Sequence, residues 1–155
     1  MTVELDALIG GDAIIPSLRA NSKKQVLQEL SEAAATLTGI GERQIFETVA
    51  QRERLGSTGV GNGIAIPHGK LAGLDRMTGV FAKLAKPVDF DALDDQPVDL
   101  VFLLLAPEGA GADHLKALSK VARFLRNADV VAKLRSSHDV DTIHELIRAA
   151  PPHAA

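Results

Sequence analysis

The stretch Val98-Asp99-Leu100-Val101-Phe102-Leu103-Leu104-Leu105-Ala106-Pro107 decides the fold. From Leu100 to Ala106 it is apolar without a break for seven residues. That is far short of the roughly 20 residues a helix needs to cross a bilayer, and it fits one strand covered on both faces, central in a sheet. Met77 to Leu84 reads as the second clear strand. Ala13 to Pro16 is a third candidate, which Pro16 confines to an edge or an end. Ile64-Ala65-Ile66 is a short fourth, cut off by Pro67-His68-Gly69. Between the two main strands, Pro87 to Pro97 reads as an acidic surface loop.

The other segments carry a helical period. Leu5 to Ile9 forms a short first helix. Ser22 with Gln25 three residues on has the form of a capping box, followed by Val26, Leu27, Leu30, Ala33, Ala34 and Leu37 at helical spacing and a stop at Gly39. A second long helix starts near Glu42, puts Ile45, Phe46, Val49 and Ala50 on one face, and ends around Arg54. Later, Asp113 is the expected N-cap of a helix whose buried stripe is Leu115, Leu118, Ala122 and Leu125. A short helix covers Val130, Val131 and Leu134, and a last one carries Ile143, Leu146 and Ile147 with Asp139 or Asp141 as cap. Alternating blocks of this kind give an α/β fold: a central mixed β-sheet flanked by helices on both faces, in a single domain. The domain is expected over residues 1–148, with 149–155 a flexible tail rich in Ala and Pro.

At 155 residues the chain is long enough to bury about two-thirds of its unfolded surface without staples. It has no Cys, so neither disulfides nor thiolate chemistry enter. The net charge of −3 speaks against a nucleic-acid binder held by phosphate neutralisation, and the absence of Trp and Tyr leaves few platforms for bases or sugars. The first residues carry acids where a signal peptide wants positive charge, so a cytoplasmic location and no membrane insertion are expected.

Chemistry is sought first in Gly56-Ser57-Thr58-Gly59-Val60-Gly61-Asn62-Gly63, where four glycines in eight residues argue against a regular element. It is not a P-loop: Gly69-Lys70 is followed by Leu71, and Ile64 stands where the first Gly belongs. Nor is it a dinucleotide loop, since Gly59-Val60-Gly61-Asn62-Gly63 brings its last Gly one place early and leads into a strand. The five histidines show no zinc spacing. No cofactor and no metal are expected. His68 remains: Pro67 stiffens the chain before it, and Gly69 removes bulk from one flank, so the ring is presented at a strand end. Read from those three residues alone, it is as well described as a turn histidine.

The wider block from Arg52 to Lys70 resembles the active-site region of the enzyme IIA components of the bacterial phosphotransferase system, in the fructose/mannitol class. So do Phe90-Asp91-Ala92-Leu93-Asp94, Gln96-Pro97-Val98-Asp99-Leu100 and His114-Leu115-Lys116-Ala117-Leu118-Ser119, and the resemblance runs over about residues 3 to 148, nearest to the nitrogen-related regulatory branch. It implies that His68 is the phosphoryl acceptor, His114 the second active-site histidine that hydrogen-bonds the phosphate, and Arg52 the active-site arginine that stabilises its charge. It implies a donor that is a small HPr-like phosphocarrier protein of the NPr type, and regulatory protein targets such as sensor kinases or potassium transporters. Such a chain is a protein-to-protein phosphotransfer component in nitrogen, carbon or potassium control rather than a small-molecule enzyme. The alternative is a fructose- or mannitol-specific enzyme IIA that passes the phosphate to an enzyme IIB. Sugar-transporting relatives can carry an acid six positions before the histidine; here Asn62 stands there, which favours the regulatory branch.

These roles make physical sense. A neutral imidazole offers a lone pair near pH 7. The transferred group carries charge on three oxygens, which the fork of Arg52 can meet. His114 in the first turn of a helix feels the positive end of the dipole, which keeps it a neutral N–H donor. Nearby glycines let backbone amides approach. Read alone, Arg52 and Arg54 are solvated helix-end charges, Lys70 is either solvated or a steering charge, His138, His144 and His153 are surface residues, and Asp89 to Asp95 is a solvated face, with partner docking as the alternative.

Overall fold

In the computed structural model, which describes residues 5–149, the apolar run is the last strand of a six-stranded mixed sheet. The strands are β1 (Ile14–Leu18), β2 (Gly59–Gly61), β3 (Ile64–Ala65), β4 (His68–Leu71), β5 (Thr78–Val88) and β6 (Val98–Pro107). Their order is β1-β5-β6-β3-β2, with β4 also on β6. β6 runs antiparallel to β5 and parallel to β3 and β4, and β1 lies parallel to β5 at the edge, where Pro16 is tolerated.

From Leu100 onward, successive side chains of β6 enter two different cores. Val101, Leu103 and Leu105 join one, and Leu100, Phe102 and Leu104 the other. All are at most 1% exposed, which is why the strand shows no polar alternation. Each such side chain contributes about 1.5–3 kcal/mol on burial. The first core is closed by α2 (Lys23–Thr38) and α3 (Glu42–Leu55). The second is closed by α1 (Leu5–Leu8), α4 (Ala112–Phe124), α5 (Ala128–Ser136) and α6 (Val140–Arg148). Helices therefore cover both faces.

Local signals set the helix ends. Ser22 accepts from the Gln25 amide at 3.1 Å, while the Gln25 side chain reaches back to the amide of Asn21 rather than that of Ser22. Gly39 ends α2 in the left-handed conformation, and Asp139 caps α6 by accepting from Thr142 N at 3.0 Å. Asn127 caps α5 through its side-chain oxygen. Ala149 closes α6; the rest of the expected tail, 150–155, lies outside the described residues.

Four readings change. The glycine-rich segment does contain a strand: β2 pairs antiparallel with β3 through a two-residue turn, Asn62-Gly63. Both turn residues have positive φ, +57° and +79°, which suits Asn and Gly and makes the tight hairpin turn. The strand at Ile64 does not end at Pro67: β4 continues on β6 with the same offset as β3, and Leu104 N donates to Pro67 O at 2.9 Å. Next, β5 runs on past Leu84 to Val88, so Pro87 lies in a strand and not in the loop. Lastly, α4 is capped by Gly111, not Asp113, and its phase is one residue off the expected stripe. It buries His114, Ala117, Val121 and Phe124, half-buries Leu118 and Ala122, and leaves Leu115 68% exposed, while Leu125 at its C-cap is buried as expected.

Candidate functional site

Three side chains from three parts of the chain border one open cleft of about 650 Å³: Arg52 from α3, His68 from β4 and His114 from α4. Thr48, Gln51, Arg54, Leu55, Gly69 and Lys70 complete its wall.

His68 is the first residue of β4, half-buried, and not a residue beyond a strand end. Its Nδ1 lies 2.9 Å from Ile66 O. A carbonyl can only accept, so Nδ1 carries the hydrogen and Nε2 keeps the lone pair. Gly69 serves packing rather than openness: a Cβ there would meet Thr48 Cγ2 at 2.9 Å, so the glycine is what lets α3 lie this close to β4. His114 sits in the first turn of α4 and is 7% exposed. Its Nε2 is buried and has no hydrogen-bond partner among the described residues, which leaves it available to a group entering the cleft. The two imidazoles meet edge to face, with centroids 5.6 Å apart and planes at 76°.

Burial pushes the His68 pKa below its ordinary value; the Ile66 carbonyl and Glu53 pull it up, and Arg52 pushes it down further. The His114 pKa is lowered by burial first, then by His68 and Lys70. Both rings are thereby kept neutral near pH 7.

Arg52 Nη1 donates to Gly56 O at 2.9 Å, which folds the guanidinium over the end of α3. The next residue, Glu53, is a buried carboxylate that sequence reasoning passed over. It accepts from the amide and the hydroxyl of Thr58 and pairs with Lys23 Nζ at 2.8 Å. Lys23 also lies over the Phe90 ring, 5.0 Å from its centroid. A signal was present: Glu53 follows Ile45 and Val49 at intervals of four, so a charge stands in the buried stripe of α3.

Asn62 does not reach the cleft. It is at the hairpin turn, where Asp94 Oδ2 accepts from its amide at 3.0 Å and Arg135 Nη2 donates to its carbonyl at 2.5 Å. The acidic loop is more than a solvated face: Phe90 and Ala92 are buried, and Leu93 N donates to Gly59 O. His138 is exposed and His144 half-buried, while His153 lies outside the described residues. Among the described residues there is no cluster of three metal-ligating side chains, and no helix is long and apolar enough to cross a membrane.

The comparisons with known proteins agree with one another. The family model for the phosphoenolpyruvate-dependent sugar phosphotransferase system, EIIA 2, matches residues 7–150. The chain is similar to a nitrogen regulatory protein of Bradyrhizobium diazoefficiens, 57% identical over 96% of this chain and 97% of that one. It is similar to the nitrogen regulatory protein of Escherichia coli K12, at 40% identity over 94% of this chain and 90% of the relative. Among solved structures, the nitrogen regulatory protein IIA-Ntr from Neisseria meningitidis superposes with a TM-score of 0.88 at 34% identity, covering 92% of this chain and 98% of that one.

Proposed function

The chain belongs to the EIIA 2 family of the phosphoenolpyruvate-dependent sugar phosphotransferase system, and on that premise we propose that it takes a phosphoryl group onto His68 and signals by carrying it. The donor is a phosphohistidine on a small HPr-like carrier protein. The bond between phosphorus and the carrier's imidazole nitrogen breaks as a new bond forms to His68 Nε2. The Nδ1 hydrogen stays on its bond to Ile66 O, so no proton has to leave the acceptor. Arg52 supplies a fixed positive charge to the three phosphoryl oxygens, and His114, neutral, donates from Nε2.

The observation that carries this reading is the pairing of the His68 Nε2 with the buried His114 Nε2 beside it, neither with a hydrogen-bond partner among the described residues. An anion seated between the two rings answers that buried nitrogen. The names of the relatives and the Asn at position 62 favour the regulatory branch. A phosphate then adds nearly two negative charges at one surface point, enough to admit or refuse protein targets such as sensor kinases or potassium transporters. Incubation with a phosphorylated HPr-like carrier tests it: wild type takes up acid-labile phosphate and His68→Ala does not. Equal uptake by both ends the reading. Efficient onward transfer to a fructose- or mannitol-type enzyme IIB assigns the chain to sugar transport instead.

A further inference from the structure

Resting on the reading of His68 as acceptor, we infer that the protein face docking over this cleft is acidic, and that fixed charge recruits the donor in addition to its phosphoryl group. Arg52, Arg54 and Lys70 border the cleft, and among the described residues no Asp or Glu lines it. The chain as a whole has the opposite balance, 20 acids against 17 Lys and Arg. Arg54 and Lys70 are exposed, and neither takes part in an ion pair among the described residues. Glu53, beside them in the chain, is buried and already neutralised by Lys23. Asp113, next to His114, is exposed and does not line the cleft.

The positive charge exceeds what the reaction uses, since Arg54 and Lys70 stand beside Arg52. Arg54 also borders the neighbouring depression, where Lys23 and Lys24 are matched by Glu53 and Asp91, so the excess charge there is that of Arg54 itself. One exposed leucine stands among these charges: Leu55, 85% exposed, on the cleft wall. A matching partner presents carboxylates around a small apolar contact with its phosphohistidine at the centre. Such a field acts on encounter rate and on which partner is admitted. The field is also altered by the reaction itself. About two negative charges arrive at His68, offsetting most of the three cations, so an acidic face is held less strongly after transfer than before it.

The test compares two phosphorylated HPr-like carriers, one with an acidic face around its histidine and one with a basic face. Initial rates of labelling are followed against carrier concentration at low salt and at about 0.5 M salt. For the acidic carrier, Arg54→Glu/Lys70→Glu raises the half-saturating concentration about tenfold at low salt, Arg54→Gln/Lys70→Gln falls between, and high salt closes the gap. The basic carrier labels wild type poorly and the charge-reversed variant better. A half-saturating concentration that does not move, a loss confined to the rate at saturation, or a basic carrier preferred by wild type overturns the inference. If labelling depends on His68 but ignores these charges, the acceptor reading stands and the acidic partner does not. If wild type and His68→Ala label alike, both fall.

Discussion

Gly69→Ala tests whether the site depends on the close approach of α3 to β4. The added methyl would lie 2.9 Å from Thr48 Cγ2, against an ordinary carbon contact of about 3.5–4.0 Å. Thr48 cannot swing aside cheaply. Its χ1 is stiff in a helix, and its hydroxyl donates to Gln44 O at 2.9 Å. The helix must therefore move, and overpacking of this kind costs about 1–3 kcal/mol. Loss of chain freedom in the unfolded state offsets about 0.4–1 kcal/mol of that. The net loss is about 1–2 kcal/mol, a fall in Tm of roughly 2–8 °C for a chain of this length. Thr48→Ser deletes the offending methyl and keeps the hydroxyl, so Gly69→Ala/Thr48→Ser should recover most of the loss in a urea or thermal double-mutant cycle. Arg52 is one turn beyond Thr48 on the same helix, so carrier-dependent labelling should slow in Gly69→Ala and return in the double variant. A stable Gly69→Ala, or a double variant no better than the single, would refute the packing argument.

The pH dependence follows from the two depressed histidines. Their folded pKa values lie below the ordinary 6.5, so the unfolded chain takes up protons first; their contribution to stability is complete above about pH 6.5 and is lost as pH falls through the lowered values. Urea midpoints from pH 7.5 down to 5 should drop in wild type and drop less in His114→Gln. Arg135→Gln removes a two-pronged hold on Asp99 and the bond to Asn62 O, and should cost about 1–3 kcal/mol in chemical denaturation, with Asp99→Asn/Arg135→Gln costing less than the two single changes together. Arg52→Ala and His114→Ala should each slow single-turnover labelling about tenfold or more, and an unchanged rate in either removes that residue from the mechanism.

What the sequence made legible was whatever chain-local physics decides. An unbroken apolar run marked β6, Ser22 and Gly39 marked helix ends, and Asp139 was one of two cap candidates with Asp141, because a strand covered on both faces and a capped helix announce themselves within a few residues. β4 does not: His68-Gly69-Lys70-Leu71 has no β-branched residue, and only its register with Leu104 to Pro107 makes it a strand. The hairpin at Asn62-Gly63 was legible, since that dipeptide is a strong hairpin signal, but the density of glycine around it read as loop. The phase of α4 was missed because Leu115, Leu118 and Ala122 make an equally regular apolar row one residue along, whereas the row that packs is Ala117, Val121 and Phe124, which carries His114 inward with it. For the same reason, the meeting of Arg52, His68 and His114 came from family resemblance and not from any spacing along the chain.

The location of the cleft has its own physical cause. β3 and β4 are one strand in register, and the β2 hairpin covers the outer side of its first half. That cover ends where Ile66 N donates to Thr58 O at 3.0 Å. Pro67 has no N–H to offer, so it can follow there without leaving a donor unpaired. Beyond it, among the described residues, β4 pairs with β6 alone. Among the described residues the other edge of β4 is thus unpaired from His68 onward, and His68, Gly69 and Lys70 line the cleft with Arg52 and His114. An uncovered edge is usually a liability that a protein blunts with charge or a covering segment. Here Lys70 stands on β4 beside the histidine and is exposed, a charge of the kind that discourages strand pairing at an open edge.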